Sequence, residues 1–471
     1  MTGWALIIVF LLAIVLMIVC ISKWKVHPFL AIMGVAVLLG FLAGIPIVNQ
    51  TDADGVVITT GIAGIIGQGF SAIFTGIGIV IIFGALIGTF LEATGGAFKI
   101  ADMVVKVLGK RSPTLSIVVM GWIVSIPVFC DSGFVILNPV RRSIVKRTGA
   151  SGVATALGLG AGLYTSHVLV PLTPGPLGAA DILYLGDFLL LVMGVSVVVS
   201  IPGLMAAYFW AVRCGKRTQS KEDLEIAQNE TVKTYEELVK EFGGLPNGFL
   251  SIAPILIPIL CMALGSIASA DVFGASGPLR DFMVFIGTPV IALGVGLLFA
   301  ILLLATSKKM EQFNNLTNET LKMLGPILFI TGAGSVLGRV IAVSDMVPFI
   351  SEHSGVLAGL GLFFPFIVSA IIKTAQGSST VAMITTAGIM APLMETLGMG
   401  TPIMAALTVM AIGAGSMMAS HANDSYFWVV SNLSEMTPEQ GYKNWTSMTV
   451  VQGIAVMLGV FVFGLVVRLF M

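Results

Sequence analysis

The stretch SIPVFCDSGFVILNP, Ser125–Pro139, decides the fold. It lies in a chain that is apolar throughout, yet its middle carries Cys130, Asp131, Ser132 and Gly133, with Pro127 before them and Asn138-Pro139 after. Basic residues stand on both sides, Lys110-Arg111 before it and Arg141-Arg142 with Lys146-Arg147 at its end. Basic loops stay on the cytoplasmic face, so both ends belong to one side, and a single spanning helix cannot begin and end there. Each arm has about 13–15 residues, short of the roughly 20 that cross a bilayer. Segment 113–146 is therefore expected to be a re-entrant helical hairpin that turns inside the membrane, with CDSG as its break.

The composition supports a membrane reading of the whole chain. Of 471 residues, 56% are hydrophobic and 10% are charged, and the mean hydropathy is +1.02. Soluble proteins carry about 25% charged residues. Continuous apolar runs argue for helices and against a β-barrel, whose strands alternate. A net charge of zero implies no nucleic-acid partner. Cys20, Cys130, Cys214 and Cys261 have no paired spacing, so neither a disulfide framework nor a metal site is expected, and no cofactor is implied. Lys23 and Lys25 follow the first apolar run, so Trp4–Ile21 reads as a retained helix and not as a signal peptide.

Full spans are expected at 4–22, 27–48, 70–91, 150–170, 187–212, 248–270, 282–305, 322–341, 401–420 and 446–470. The polar stretch 213–247 divides the chain as a cytoplasmic linker. Segment 355–394 repeats the hairpin pattern: GVLAGLGLFFPFIVSAII runs in, KTAQGSS breaks it, and TVAMITTAGIMAPL runs out. Its flanks hold Asp345, Glu352 and Glu395 but no basic cluster, which suits the outer face. The halves correspond with a shift of about 250 residues: Gly84-Ala85 with Gly332-Ala333, Asp131 with Gln376, and GAGLYTSH (160–167) with GAGSMMASH (413–421). Residues 1–212 and 248–471 are thus expected to be two inverted repeats. Each holds one hairpin and one broken helix, at 150–180 and 401–436. Broken helices in inverted repeats that meet at the midplane are a pattern of secondary transporters.

Four polar stretches should meet there: Cys130-Asp131-Ser132-Gly133, Ser166-His167, Gln376-Gly377-Ser378-Ser379, and Ser420 to Ser425. The second arm of each hairpin starts at its break, and a helix start favours a carboxylate. Ser132, Ser378, Ser379, Thr380 and Asn423 offer hydrogen bonds to hydroxyls, and Lys373 stands close enough to add positive charge. Asp131, His167, His421 and Asp424 are the candidate proton carriers, because ionisable groups inside a membrane mark ion pathways. The plainer readings are that Asp131 and Ser132 cap the second arm and that the histidines are packing residues. His27 and His353 read as interfacial, Arg339 as snorkelling or ion-paired, and Met383, Met390 and Met394 as packing.

Together VHPFLA (26–31), VFCDSGFVIL (128–137), SHVLVPLTPGP (166–176), KTAQGSSTVAMIT (373–385) and SHANDSYFWVV (420–430) resemble the gluconate:proton symporter (gluconate permease) family of the ion transporter superfamily. The resemblance covers nearly the whole chain. It implies an all-α polytopic protein of the bacterial inner membrane, with a dimerising scaffold and an elevator-type transport domain, and not an enzyme. It also implies proton-coupled import of gluconate or a related hydroxy-carboxylate. Glycerate, hydroxybutyrate and D-serine stand as alternative substrates, and sodium as the alternative coupling ion. An intramembrane hydrolase is a remote alternative, because neither G-x-S-x-G nor HExxH occurs. A passive channel is disfavoured, since no ring of like charges is apparent.

Overall fold

The computed structural model describes residues 3–52, 54, 57–108, 112–227, 244–269, 277–352 and 360–470. Lys110-Arg111, His353, the start of segment 355–394 and most of the polar linker lie outside the described residues. Apart from a small antiparallel pair, Gln50–Thr51 with Val57–Thr59, the described chain is helical. Among the described residues, 7 helices are long and apolar enough to cross a membrane, or up to 8 if a bent pair counts as one span. The protein is an all-α, multi-pass membrane protein.

Proline and small polar residues set where the helices start. Ser112 caps Pro113–Val124 by accepting from Leu115 N at 3.4 Å, with Pro113 in the first position where its missing N–H costs nothing. Ser151 caps Gly152–Leu169 in the same way at 3.2 Å. The expected span 70–91 is instead a bent pair: Ile62–Gly76 and Ile79–Thr94 meet at 47°, through a π-turn at Phe74–Gly78. The expected span 282–305 is two helices, Pro278–Gly287 and Pro289–Thr306, because Thr288 before Pro289 is extended.

The break in the opening stretch lies earlier than CDSG. Pro113–Val124 ends at Ser125, and the next helix, Cys130–Thr148, starts after an extended Phe129. The break is Ser125–Phe129, held by the Ser125 hydroxyl donating to Val128 O at 2.8 Å. Pro127 offers no N–H to continue the first helix. Cys130 to Gly133 are already helical, and Gly133 N donates to Phe129 O at 2.8 Å. Asp131 is thus a first-turn residue, and the cap position belongs to Phe129, which has no capping side chain. In the second segment, Phe363–Gln376 and Ser379–Met390 are separated by two residues only, so Lys373 to Gln376 are helical and not part of the break.

Two elements form the centre. Every residue of Gly152–Leu169 is buried except His167, and every residue from Met404 to Ser416 in Pro402–Ser416 is buried. Helices apolar on all sides belong inside protein or lipid, and here protein surrounds them. The first is followed by Pro174–Ile182 and the second by Ser425–Leu433, each after a short non-helical piece. Around them pack Pro113–Val124, Leu189–Gly215, Ser379–Met390 and Ser447–Phe470.

The start of the polar linker is built into this core. Glu222 is fully buried and meets Arg141 at 2.6 Å, and Asp223 accepts from Gly152 N at 2.5 Å.

Candidate functional site

Three helices begin around one cavity of about 410 Å³. They are Cys130–Thr148, Ser379–Met390 and Ser425–Leu433. Two starts are closed by side chains: Ser378 Oγ accepts from Val381 N at 3.3 Å, and Asp424 Oδ1 accepts from Tyr426 N at 3.1 Å. The third, at Cys130, has no side-chain cap. No residue ahead of it caps this start, and with the helix dipole behind them its first N–H groups, of which that of Asp131 is engaged by its own carboxylate, favour an anion.

Of the residues singled out by sequence, Asp131, His167, Gln376, Gly377, Ser378, Ser379, Thr380, Asn423 and Asp424 line this cavity. Asp131 is held by long contacts, Ser425 Oγ donating at 3.4 Å and the Cys130 thiol at 3.5 Å. His167 faces the cavity with a buried Nδ1 that has no partner among the described residues.

Four of the residues are not in the lining. Ser132 turns its hydroxyl to the Glu92 carboxyl. Gly133 packs against Leu163, and Ser166 is fully buried. His421 lies outside the cavity, where its Nε2 meets Thr374 O at 3.0 Å, and Asn423 Nδ2 donates to the same carbonyl at 2.9 Å. Together they satisfy the exposed end of Phe363–Gln376. The two histidines, alike in sequence, thus have different surroundings.

The second break is tightly closed. The Gln376 amide is used on both sides, accepting from Ser378 N at 3.0 Å and donating to Ser378 O. Gly377 adopts φ +92°, and a Cβ there would run into Asn423 O. Lys373 is buried; it pairs with Asp424 at 2.7 Å and donates to Gly377 O. Asp424 also accepts from Ser420 Oγ at 2.5 Å, and Ser420 accepts from Trp445 Nε1 at 2.8 Å. Neither the lysine nor this aspartate offers a free charge to a solute.

Tyr164 is a lining residue that sequence reasoning passed over. Its hydroxyl meets Ser379 Oγ at 2.8 Å and donates to Ser416 O at 3.3 Å, which links three elements at the cavity wall. A signal was available: Tyr164 precedes His167 by three residues, so both share one helix face. Tyr426 lines the cavity too, with its hydroxyl on Gly160 O at 3.1 Å. Met323, Ile327 and Ile330 of helix Phe313–Val343 supply the apolar wall. The site can therefore hold a small anion with hydroxyl groups against one greasy face.

Residues 4–466 match the family model described as GntP family permease. The inner membrane permease YgbN of Escherichia coli is 30% identical, across 94% of this chain and 95% of that protein. The gluconate permease of Zymomonas mobilis is 30% identical, across 97% of each. Among solved structures, the Alcanivorax borkumensis YdaH transporter shares the fold with a TM-score of 0.59 at 15% identity, covering 93% of this chain and 97% of that one.

Proposed function

Because the chain belongs to the GntP family permeases, we propose that it imports gluconate or a closely related small hydroxy-carboxylate across the bacterial inner membrane by proton symport. The observation that carries this reading is the convergence of three helix starts on one hydroxyl-lined cavity, one start lacking a side-chain cap. The solute carboxylate sits at the uncapped start of Cys130–Thr148. Its hydroxyls pair with Ser379, which Tyr164 orients, and with Thr380 and Asn423, and its carbon chain lies against Ile327 and Ile330. The names of relatives support gluconate as the first substrate to try.

Asp131 carries the proton in this reading. Ionised, it repels an incoming carboxylate in the same small cavity; neutral, it does not. Proton and anion therefore bind more tightly together than apart, and this linkage is reciprocal. Asp424 is less suited, because Lys373 already compensates its charge. His167 is the second candidate.

The same reading takes Pro113–Thr148 and Phe363–Met390 as re-entrant hairpins, and residues 1–212 and 248–471 as inverted repeats. The recurring order supports it: two short helices, then a buried helix interrupted before a short continuation. The hairpins and interrupted helices move together as an elevator against a dimeric scaffold.

Uptake of labelled gluconate into proteoliposomes, driven by an inward proton gradient, tests the proposal. Uptake that follows sodium and ignores pH would remove the proton. A panel with glycerate, hydroxybutyrate and D-serine would correct the substrate if one of them outruns gluconate.

A further inference from the structure

A second cavity, of about 430 Å³, opens beside the same helices and holds charges that the central site does not use. Its wall comes from Gln68, Asp181 and the outer half of Phe313–Val343, including Ser335 and Arg339. Two helices run from one cavity to the other. On Phe313–Val343, Ile330 lines the first and Ser335 the second, about 7–8 Å apart at 1.5 Å per residue. On Pro174–Ile182, Gly175 abuts Thr380 of the central site and Asp181 faces the second cavity. Between them the Ile384 side chain fills the gap against Gly178 and Gly334. Lys309 donates to Ala93 O, which ties the basic Lys308-Lys309 loop to the inner end of Ile79–Thr94. The second cavity is at the opposite end, on the side that the loop charges make extracytoplasmic.

The charged groups in this cavity are poised for a solute. The Asp181 carboxylate accepts no hydrogen bond among the described residues, while glycines keep the room around it. A Cβ on Gly76 would come within 2.6 Å of Asp181 Oδ1, and one on Gly186 within 3.3 Å. Arg339 lines the same cavity without pairing to Asp181. Among the described residues its one hydrogen bond is long, Nη2 donating to Gln68 Oε1 at 3.5 Å, which leaves donors for a carboxylate. Arg339 is exposed and Asp181 half-buried at this cavity, and a guanidinium and a carboxyl group that line one cavity without pairing leave room for a ligand that satisfies both.

We propose that this cavity is an outer recognition site for the transported hydroxy-carboxylate, where Arg339 takes the carboxylate and Asp181 and Gln68 take hydroxyls. The inference rests on the transport reading above. Asp181 makes the site selective. A hydroxyl donates to it, whereas a second carboxylate on the solute meets its charge and is repelled, so sugar acids pass and sugar diacids do not. Ile384 is the barrier between this site and the central one.

Right-side-out and inside-out membrane vesicles with labelled gluconate separate the two faces. Charge-assisted bonds are worth about 1.5–3 kcal/mol, or roughly 10- to 100-fold. Arg339→Ala is expected to raise the KM from the outer face by that factor and to leave the KM from the inner face unchanged. A carrier cannot shift the overall equilibrium, so the maximal rate from the inner face falls to compensate. Asp181→Asn is expected to let a sugar diacid compete with gluconate from outside, which it does not do against the wild type. A KM raised equally from both faces, or unchanged outside, with diacids still excluded in Asp181→Asn, would overturn the outer site while leaving transport intact. Wild-type vesicles that take up no hydroxy-carboxylate would overturn the transport reading and the outer site with it.

Discussion

Lys373 Nζ lies 2.7 Å from Asp424 Oδ2, with the lysine side chain fully buried and the aspartate nearly so. The pair joins the end of Phe363–Gln376 to the start of Ser425–Leu433, and Gly377 O and Ser420 Oγ complete its hydrogen bonds. Removing one member of a buried pair costs about 3–5 kcal/mol, because the other charge is left uncompensated. Lys373→Met and Asp424→Leu are each expected to lower the melting temperature of the purified protein clearly. The double variant, which buries no charge, should recover much of the loss. Single variants as stable as the wild type would mean that the pair is solvated in the protein and that Asp424 is available to titrate.

The Asp131 carboxylate has no such partner, and that difference yields the second prediction. In Asp131→Asn the side chain stays polar and nearly the same size but binds no proton. Wild-type uptake should fall as external pH rises, since an ionised Asp131 opposes the solute carboxylate. In the variant, uptake against a gradient should be lost, while gluconate exchange across the membrane persists and becomes flat with pH. If exchange in the variant still follows pH as in the wild type, the proton belongs to His167.

Much of this arrangement was legible in the sequence because its causes are local. Pro127 and Gly377 each stand beside polar residues in an apolar run, so both interruptions were visible, and those polar residues marked the cavity. The first was misplaced by about a turn because Cys130 to Gly133 look like helix breakers, although a helix start tolerates them and the proline upstream does the breaking. What was hidden depends on long-range pairing. Lys373 looked like a free charge because its partner is some 50 residues away. Tyr164 was passed over because nothing near it in sequence shows that Ser379 lies opposite. The segment after Gly215 looked like a plain linker because burial of Glu222 is decided by Arg141 in another helix.

Gly377 supplies a third prediction. Its φ of +92° is costly for any residue with a Cβ, and that Cβ would also meet Asn423 O. Gly377→Ala should therefore separate the second hairpin break from the Asn423 stretch. Strain at such positions is of order 1–3 kcal/mol, and the collision adds to it. The expected result is a large loss of gluconate uptake at normal membrane abundance, with Gly67→Ala as a control, since a Cβ there meets nothing within 4 Å. Equal uptake by both variants would show that the backbone at 377 is not held as described.

Tyr164 tests the wall of the cavity without disturbing its charges. Tyr164→Phe keeps the ring, which packs against Tyr426 and Trp445, and removes the hydroxyl that meets Ser379 and Ser416 O. A neutral hydrogen bond contributes about 0.5–1.5 kcal/mol, or roughly 2- to 10-fold in affinity if it orients Ser379 for the solute. The KM for gluconate should rise within that range while the pH profile keeps its shape, because Asp131 is untouched. Ser379→Ala should raise it similarly, and the double variant should add little, since both remove one bond from the same network. Fully additive losses would mean that the two hydroxyls act on the solute separately and that their 2.8 Å contact has no part in binding.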